Sequence, residues 1–341
     1  MTTTAEHRET TTMSSTRTLT LAKAINEGLR QSLKDDPKVL LMGEDIGPLG
    51  GVFRVTDGLQ KEFGEDRVVD TPLAESGILG TAIGLALRGY RPVCEIQFDG
   101  FVFPAYNQIT TQLAKLRYRS RGAVSVPVVV RIPYGGGIGA VEHHSESPEA
   151  LFAHTPGLRI VTPATPQDAY TMIQEAITSP DPVIFFEPKG RYWSKGDVDL
   201  DAPVGAATLN AAQVVRAGTD VTLVAYGPTV ATALKSADAL AAEGRSAEVI
   251  DLRAISPIDT STIAASVRKT GRCIVIHEAP VFFGAGAEIA ARVTEECFYA
   301  LEAPVLRVGG FHTPYPVAKL EHDYLPSVDR VLDAVDRAFA H

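Results

Sequence analysis

The sequence predicts an α/β protein of two domains, each a mostly parallel sheet flanked by helices. Three observations carry this expectation. Apolar runs of strand length alternate with longer amphipathic runs along most of the chain. The rhythm restarts after a polar stretch bearing Gly, Asp and Pro at about residues 195–209. The strand-length runs are continuously apolar, as expected of strands covered on both faces by helices. A chain of 341 residues, 45% hydrophobic and 21% charged, suits two full cores.

Residues 1–17 are rich in Thr and Ser, carry Glu6 and Glu9, and lack the apolar centre of a signal peptide, so a disordered tail is expected. Leu21, Ile25, Leu29 and Leu33 recur at helical spacing, and residues 39–42 read as a buried strand running into Gly43-Glu44-Asp45. The segment DTPLAESGILG (70–80) opens the next helix, with Pro72 just before it and Gly89 past its end. Glu75 falls in its first turn, where the helix dipole favours a carboxylate, and a plain N-terminal charge would serve as well. Gly77, Gly80 and Gly84 share one side of this helix. Each costs a helix about 1 kcal/mol relative to Ala, so close approach by another backbone or a partner helix is expected there.

Residues 93–98 read as a strand containing Glu95 and Gln97. Pro104 then opens a helix carrying Ile109, Leu113 and Leu116 and closed by Gly122. A strand at 128–132 leads into Gly135-Gly136-Gly137, and strands at 158–161 and 183–186 flank a helix opened by the Thr165, Pro166, Asp168 capping arrangement. The first domain is thus expected over 18–194, a linker over 195–209 and the second domain over 210–341. In the latter, strands are expected at 221–225, 247–251, 273–277 and 305–308, with a helix at 230–242.

The net charge of −9, from 41 acidic and 32 basic residues, argues against a nucleic-acid partner. No apolar run reaches the roughly 18 residues of a membrane span. Cys94, Cys273 and Cys297 form no CxxC pair and read as buried reduced thiols of a cytoplasmic protein. Gly135-x-Gly137-x-x-Ala140 resembles a dinucleotide fingerprint only formally, since Val141-Glu142-His143-His144-Ser145 opens no apolar helix. His143, His144 and His154 fit neither the HExxH nor the zinc-finger spacing. The Lys115, Arg117, Arg119, Arg121 series reads as a solvated helix end, and Gly284-Ala285-Gly286 as tight strand-to-helix packing.

A family resemblance rests on ordered motifs: DTPLAESGILG, EIQFDGFVFPAYNQ, EHHSESPEALFAHTPGL, VIDLRAISPID and the late HEAP, EECF, LEAP and TPYP. Over about residues 18–340 the chain resembles the β subunit of the heterotetrameric E1 component of 2-oxo acid dehydrogenase complexes. GGVFRVTDGL, EIQFDGFVFP and EHHSESPEALFAH look closer to the branched-chain enzyme than to the pyruvate or acetoin enzyme.

The resemblance implies a transketolase-like pyrimidine-binding domain followed by a transketolase C-terminal domain, with thiamine diphosphate shared between α and β subunits of an α2β2 enzyme. It places the carboxylate that activates the aminopyrimidine on Glu75 and an aromatic neighbour on Phe101. Gln97 would line the same pocket, and Glu44 would help connect paired active sites. His144 would guide acyl transfer to the lipoyl group of the E2 acyltransferase core. The chain lacks a Gly-Asp-Gly segment and its only asparagines are Asn26, Asn107 and Asn210, so Mg2+ and the diphosphate are expected to be held by the α subunit. A potassium ion is expected near Val126, Val128, Ala176, Ser179 and Asp181. A scaffold subunit that docks E2 without catalysis is the alternative from a different functional class.

Overall fold

The computed structural model describes residues 15–205 and 209–341. From Thr16 the chain runs through β1 (Thr16–Thr20), α1 (Leu21–Asp35), β2 (Val39–Gly43), α2 (Leu59–Phe63), β3 (Val68–Asp70), α3 (Glu75–Leu87) and β4 (Arg91–Glu95). A broken helical segment ends in α4 (Leu116–Arg119), followed by β5 (Val129–Tyr134), α5 (Glu149–Ala153), β6 (Arg159–Val161), α6 (Pro166–Thr178), β7 (Val183–Pro188) and β8 (Lys195–Asp199). The second half comprises β9 (Gln213–Arg216), β10 (Val221–Ala225), α7 (Thr229–Ala242), β11 (Ala247–Asp251), β12 (Ala254–Ser256) and α8 (Thr260–Thr270). It closes with β13 (Cys273–Pro280), α9 (Ala285–Cys297), β14 (Leu306–Gly310), α10 (Glu321–Tyr324) and α11 (Val328–Phe339).

Local chemistry explains the helix starts. Thr20 caps α1 by accepting from Lys23 N at 3.3 Å, and Thr165 caps α6 from Asp168 N at 3.1 Å with Pro166 in the first turn. Asp259 and Ser327 do the same for α8 and α11.

The first domain is built on a sheet of order β12-β6-β7-β5-β4-β2-β3, parallel except for β12. Alternate residues of its strands face opposite layers, as the pleat demands. Leu41, Val93, Val129 and Phe185 pack against α1 and α6. Leu40, Cys94, Val130 and Ile184 face a second core that continues through Tyr226, Ile250 and Val275 into the other domain. The second sheet has the order β14-β13-β10-β11-β9, parallel except for β9, with α7 and α11 on its outer face. β12 leaves the second half of the chain to join the first sheet, so the domains share backbone hydrogen bonds as well as a core.

Several local expectations give way. Of the expected tail and linker, residues 1–14 and 206–208 lie outside the described residues, and the rest is not all loop. β1 and β8 pair antiparallel from Thr16↔Asp199 to Thr20↔Lys195. The ribbon is invisible locally because its partners are far apart in sequence and β8 buries only Val198. The helix expected from Pro104 is instead a 3-10 segment (Asp99–Ala105), a π turn (Gln108–Gln112), a second 3-10 turn (Leu113–Lys115) and then α4. Its apolar spacing holds the core, but Pro104 sits inside the 3-10 turn, where it lacks an N–H to continue a ladder. On α3, a Cβ at Gly80 or Gly84 would meet nothing within 4 Å, so among the described residues the glycine face is bare at these two positions.

Candidate functional site

Parallel register sets the site. Gly43 at the end of β2 is flanked by Asp70 of β3 and Glu95 of β4, and β5 and β7 run the same way, so all five strands deliver their carboxyl ends to one edge of the sheet. The segments leaving these carboxyl ends carry the candidate residues: Glu44 and Asp45 after β2, Glu75 after β3, Gln97 and Phe98 after β4, the glycine loop after β5 and Lys189 after β7.

Glu75 is the first residue of α3, 8% exposed, and makes no hydrogen bond or ion pair among the described residues. The helix N-terminus supplies the partial positive charge that makes such a carboxylate tolerable. Glu44 lies within electrostatic reach: burial first, then the Glu75 and Asp45 charges, push its carboxyl above the usual range. Gln97 donates through Nε2 to Asp45 Oδ2 at 3.1 Å. The structure therefore groups Glu44, Glu75 and Gln97 around one corner.

A short aromatic wall continues from Gln97. The Phe98 ring lies 5.5 Å from Phe53 and 5.8 Å from Phe101, and the His144 ring packs 4.2 Å from Phe98 and 5.1 Å from Phe101. The Glu142–His144 turn is held this close because Gly100 has no side chain: a Cβ there would fall 2.3 Å from His143 O. His144 Nδ1 is buried without a partner among the described residues, and burial, with His143 and Lys189 adding to it, lowers the imidazole below its ordinary pKa. This favours the neutral ring over the charged one and leaves Nδ1 unused.

Beneath the wall lie charges that the sequence reading missed. Arg131 donates to Glu187 at 2.6 and 3.0 Å and to Glu95 at 2.7 Å, and Tyr192 donates to Glu187 at 2.6 Å. Lys189 pairs with Asp99, both fully covered, and Asp99 also accepts from Glu146 N at 2.9 Å. Burial pulls Lys189 down and pushes Asp99 up, so each depends on the other for its charge. The only signals available were a charged residue inside the apolar strand β5 for Arg131 and charges at the end of β7 for Glu187 and Lys189.

The potassium residues lie apart, where β5 and β7 begin and α6 ends. Val126 O accepts from Val128 N, Val128 O from Val183 N and Ala176 O from Ser179 N, while Ser179 Oγ donates to Asp181 O. The Asp181 carboxylate is neutralised by Arg117 at 2.5 Å, with Arg159 at 4.0 Å. These residues offer a monovalent cation carbonyl oxygens but no free charge. Among the described residues no group of three or more His, Cys, Asp or Glu side chains is placed to hold a metal.

The family described as "Transketolase, pyrimidine binding domain" matches residues 17–194, and "Transketolase, C-terminal domain" matches 210–331. A "Pyruvate dehydrogenase E1 component subunit beta" from Leifsonia xyli is 64% identical, covering 95% of this chain and 96% of its own. The chain belongs to the E1 β subunits of 2-oxo acid dehydrogenases. A "3-methyl-2-oxobutanoate dehydrogenase subunit beta" from Mycobacterium tuberculosis is 55% identical to this E1 β chain, over 94% of it and 92% of the relative. The Bacillus subtilis "Pyruvate dehydrogenase E1 component subunit beta" is 48% identical over 92% and 97%. Among solved structures, "Split gene transketolase, inactive beta4 tetramer" superposes with a TM-score of 0.76 at 23% identity, covering 94% of this E1 β chain and 98% of that one, which shows the shared fold. No helix among the described residues is long and apolar enough to cross a membrane.

Proposed function

We propose that this chain is the β half of a thiamine diphosphate-dependent E1 enzyme that decarboxylates branched-chain 2-oxo acids and passes the acyl group to lipoyl-E2. The observation that carries the reading is the pairing, on one sheet edge, of an unpartnered buried carboxylate at a helix N-terminus with an aromatic wall and a neutral histidine. The donor set fits an aminopyrimidine: Glu75 would hold the proton on a ring nitrogen, Phe101 would pack on the ring and Gln97 would line the pocket. When bound, thiamine diphosphate supplies the electron sink that lets a 2-oxo acid lose carbon dioxide. Glu44, sharing the corner with Glu75, would relay charge toward a second site. His144, neutral and with an unused nitrogen, would hold or deliver a proton to the lipoyl sulfur during acyl transfer.

Mg2+ and the diphosphate would be held by an α subunit, in an α2β2 assembly to which E2 docks. The exposed glycine face of α3, with Leu73 and Leu87 also exposed, supports a partner helix there. The free, buried cysteines suit a cytoplasmic location. A potassium ion at Val126, Val128, Ala176, Ser179 and Asp181 would be held by carbonyls, and it takes no part in the steps above.

The branched-chain reading is supported by the aromatic wall, to which GGVFRVTDGL contributes Phe53, EIQFDGFVFP Phe98 and Phe101, and EHHSESPEALFAH His144. The 64% identical relative named for pyruvate favours a second reading with the same mechanism. The experiment is oxidative decarboxylation by the chain assembled with its α subunit, comparing 2-oxoisovalerate with pyruvate. Preference for 2-oxoisovalerate supports the proposal, preference for pyruvate moves the chain to the sister enzyme, and turnover of neither favours a scaffold.

A further inference from the structure

The loop that presents His144 is gripped by the other domain. Residues 135–146 leave and rejoin the end of β5 at a neck where Gly135 N donates to Glu146 O at 2.9 Å, which makes the segment a compact Ω-type loop. Three of its glycine N–H groups point at carboxylates of the C-terminal domain. Gly136 N donates to Glu278 Oε2 at 2.9 Å, Gly137 N to Glu321 Oε1 at 2.9 Å and Gly139 N to Glu321 Oε2 at 3.1 Å. Tyr315 Oη steadies Glu321 Oε1 at 2.8 Å. On the returning arm, Asp99 accepts from Glu146 N.

The glycines are there for this grip. A Cβ on Gly136 would fall 2.0 Å from Tyr315 Oη, one on Gly135 would fall 2.6 Å from Glu278 Oε2, and Gly135 and Gly137 both have positive φ. A cleft of about 270 Å3 opens beside the loop, between Ser145, Glu146, Glu278, Tyr315 and Tyr324. Glu321 spans two amides with its two oxygens, so one side chain sets the spacing of the loop's outgoing arm. Charge-assisted hydrogen bonds of this kind are about twice as strong as neutral ones.

We infer that Glu321 and Glu278 are positioning residues for His144: the C-terminal domain holds the outgoing arm of the 135–146 loop so that the imidazole stays against Phe98 and Phe101. This rests on the reading of His144 as the residue that assists acyl transfer. Both glutamates bond backbone amides of the loop, so their effect passes through the loop backbone. Glu321 is only partly buried, which makes truncation there tolerable to the fold, and Tyr315→Phe provides a milder perturbation of the same clamp.

The test uses the αβ holoenzyme with a lipoyl domain as acceptor, beside a one-electron artificial oxidant that reports decarboxylation without acyl transfer. Glu321→Ala should lower lipoyl acylation by tenfold or more while leaving decarboxylation to the artificial oxidant within about twofold, since small misplacements of a transfer group cost this much. Tyr315→Phe should show a smaller version of the same split. Glu321→Ala added to His144→Ala should cost no more acylation than His144→Ala alone. Hydrogen exchange at the Gly137 and Gly139 amides should quicken in Glu321→Ala. Equal loss in both half-reactions, full additivity, or unchanged exchange would each overturn the inference. If His144→Ala itself leaves acylation intact, the role of His144 falls and takes this positioning role with it, whereas retained acylation in Glu321→Ala alone sinks only the clamp.

Discussion

Glu75 and Lys189 illustrate how differently two buried charges are maintained. Glu75 is stabilised by a helix N-terminus and has no donor among the described residues, which leaves its carboxylate available to a ligand. Glu75→Gln should reduce decarboxylation by at least 10²-fold, the usual scale of a lost acid–base group, while thermal unfolding of the chain stays within a degree or two. Matching losses of activity and stability would make Glu75 structural. Lys189 instead holds Asp99 and, through it, Glu146 at the base of the His144 loop. Lys189→Met leaves a buried carboxylate unpaired and should cost about 3–5 kcal/mol in denaturant unfolding, with part regained on adding Asp99→Asn. The helix-start position of Glu75 was legible, because Pro72 stands just before it, while its role came only from the family resemblance. The role of Lys189 was not legible, because its value lies in a partner 90 positions away.

At the scale of elements, α3 is the clearest case of a pattern read correctly and explained only in part. Gly77, Gly80 and Gly84 do fall on one face, but among the described residues that face meets open space at Gly80 and Gly84. A helix gains about 1 kcal/mol when Gly becomes a good helix former, so Gly80→Leu should leave the isolated chain folded and at least as stable. The same substitution should block assembly with the α subunit, as seen by native mass spectrometry or light scattering. An intact α2β2 assembly carrying Gly80→Leu would remove α3 from the proposed interface. The broken helix after β4 shows the opposite relation: Ile109, Leu113 and Leu116 were correctly placed at core spacing, yet the hydrogen-bond pattern shifts from 3-10 to π and back before α4. Spacing records which side chains are buried, and it does not record which carbonyl each amide chooses.

Across the whole molecule, the seam between the domains concentrates carboxyl groups that burial holds near neutral pH. Glu149, fully buried, accepts from Tyr226 Oη at 2.6 Å across the seam, its second oxygen has no partner, and burial pushes its carboxyl up to about 7. Asp251, also fully buried, is pushed up to about 7 by burial and by Asp168. For a carboxyl whose folded pKa exceeds the unfolded one, the stabilising contribution is complete below about pH 4.5 and is lost as the pH rises through about 7. Unfolding stability should therefore decline between pH 5 and pH 8. Glu149→Gln, which keeps an acceptor for Tyr226 and cannot ionise, should flatten that decline, raising the melting temperature at pH 8 more than at pH 5.5. Parallel melting curves for the two proteins across this range would show that folding does not raise the Glu149 carboxyl.

The sequence by itself determined the α/β class, the central strands, the capped start of α6 at Thr165, and the motifs that mark an E1 β subunit. These depend on periodicity, capping and short ordered motifs, all of which are local in the chain. Only the tertiary structure decided that β1 joins β8, that β12 crosses into the first sheet, and that Glu278 and Glu321 reach the loop carrying His144. Each of these joins segments more than 90 residues apart, and hydrogen bonds between such segments leave no period in either one. Their geometry exists only once the parallel strands have brought both ends to the same edge.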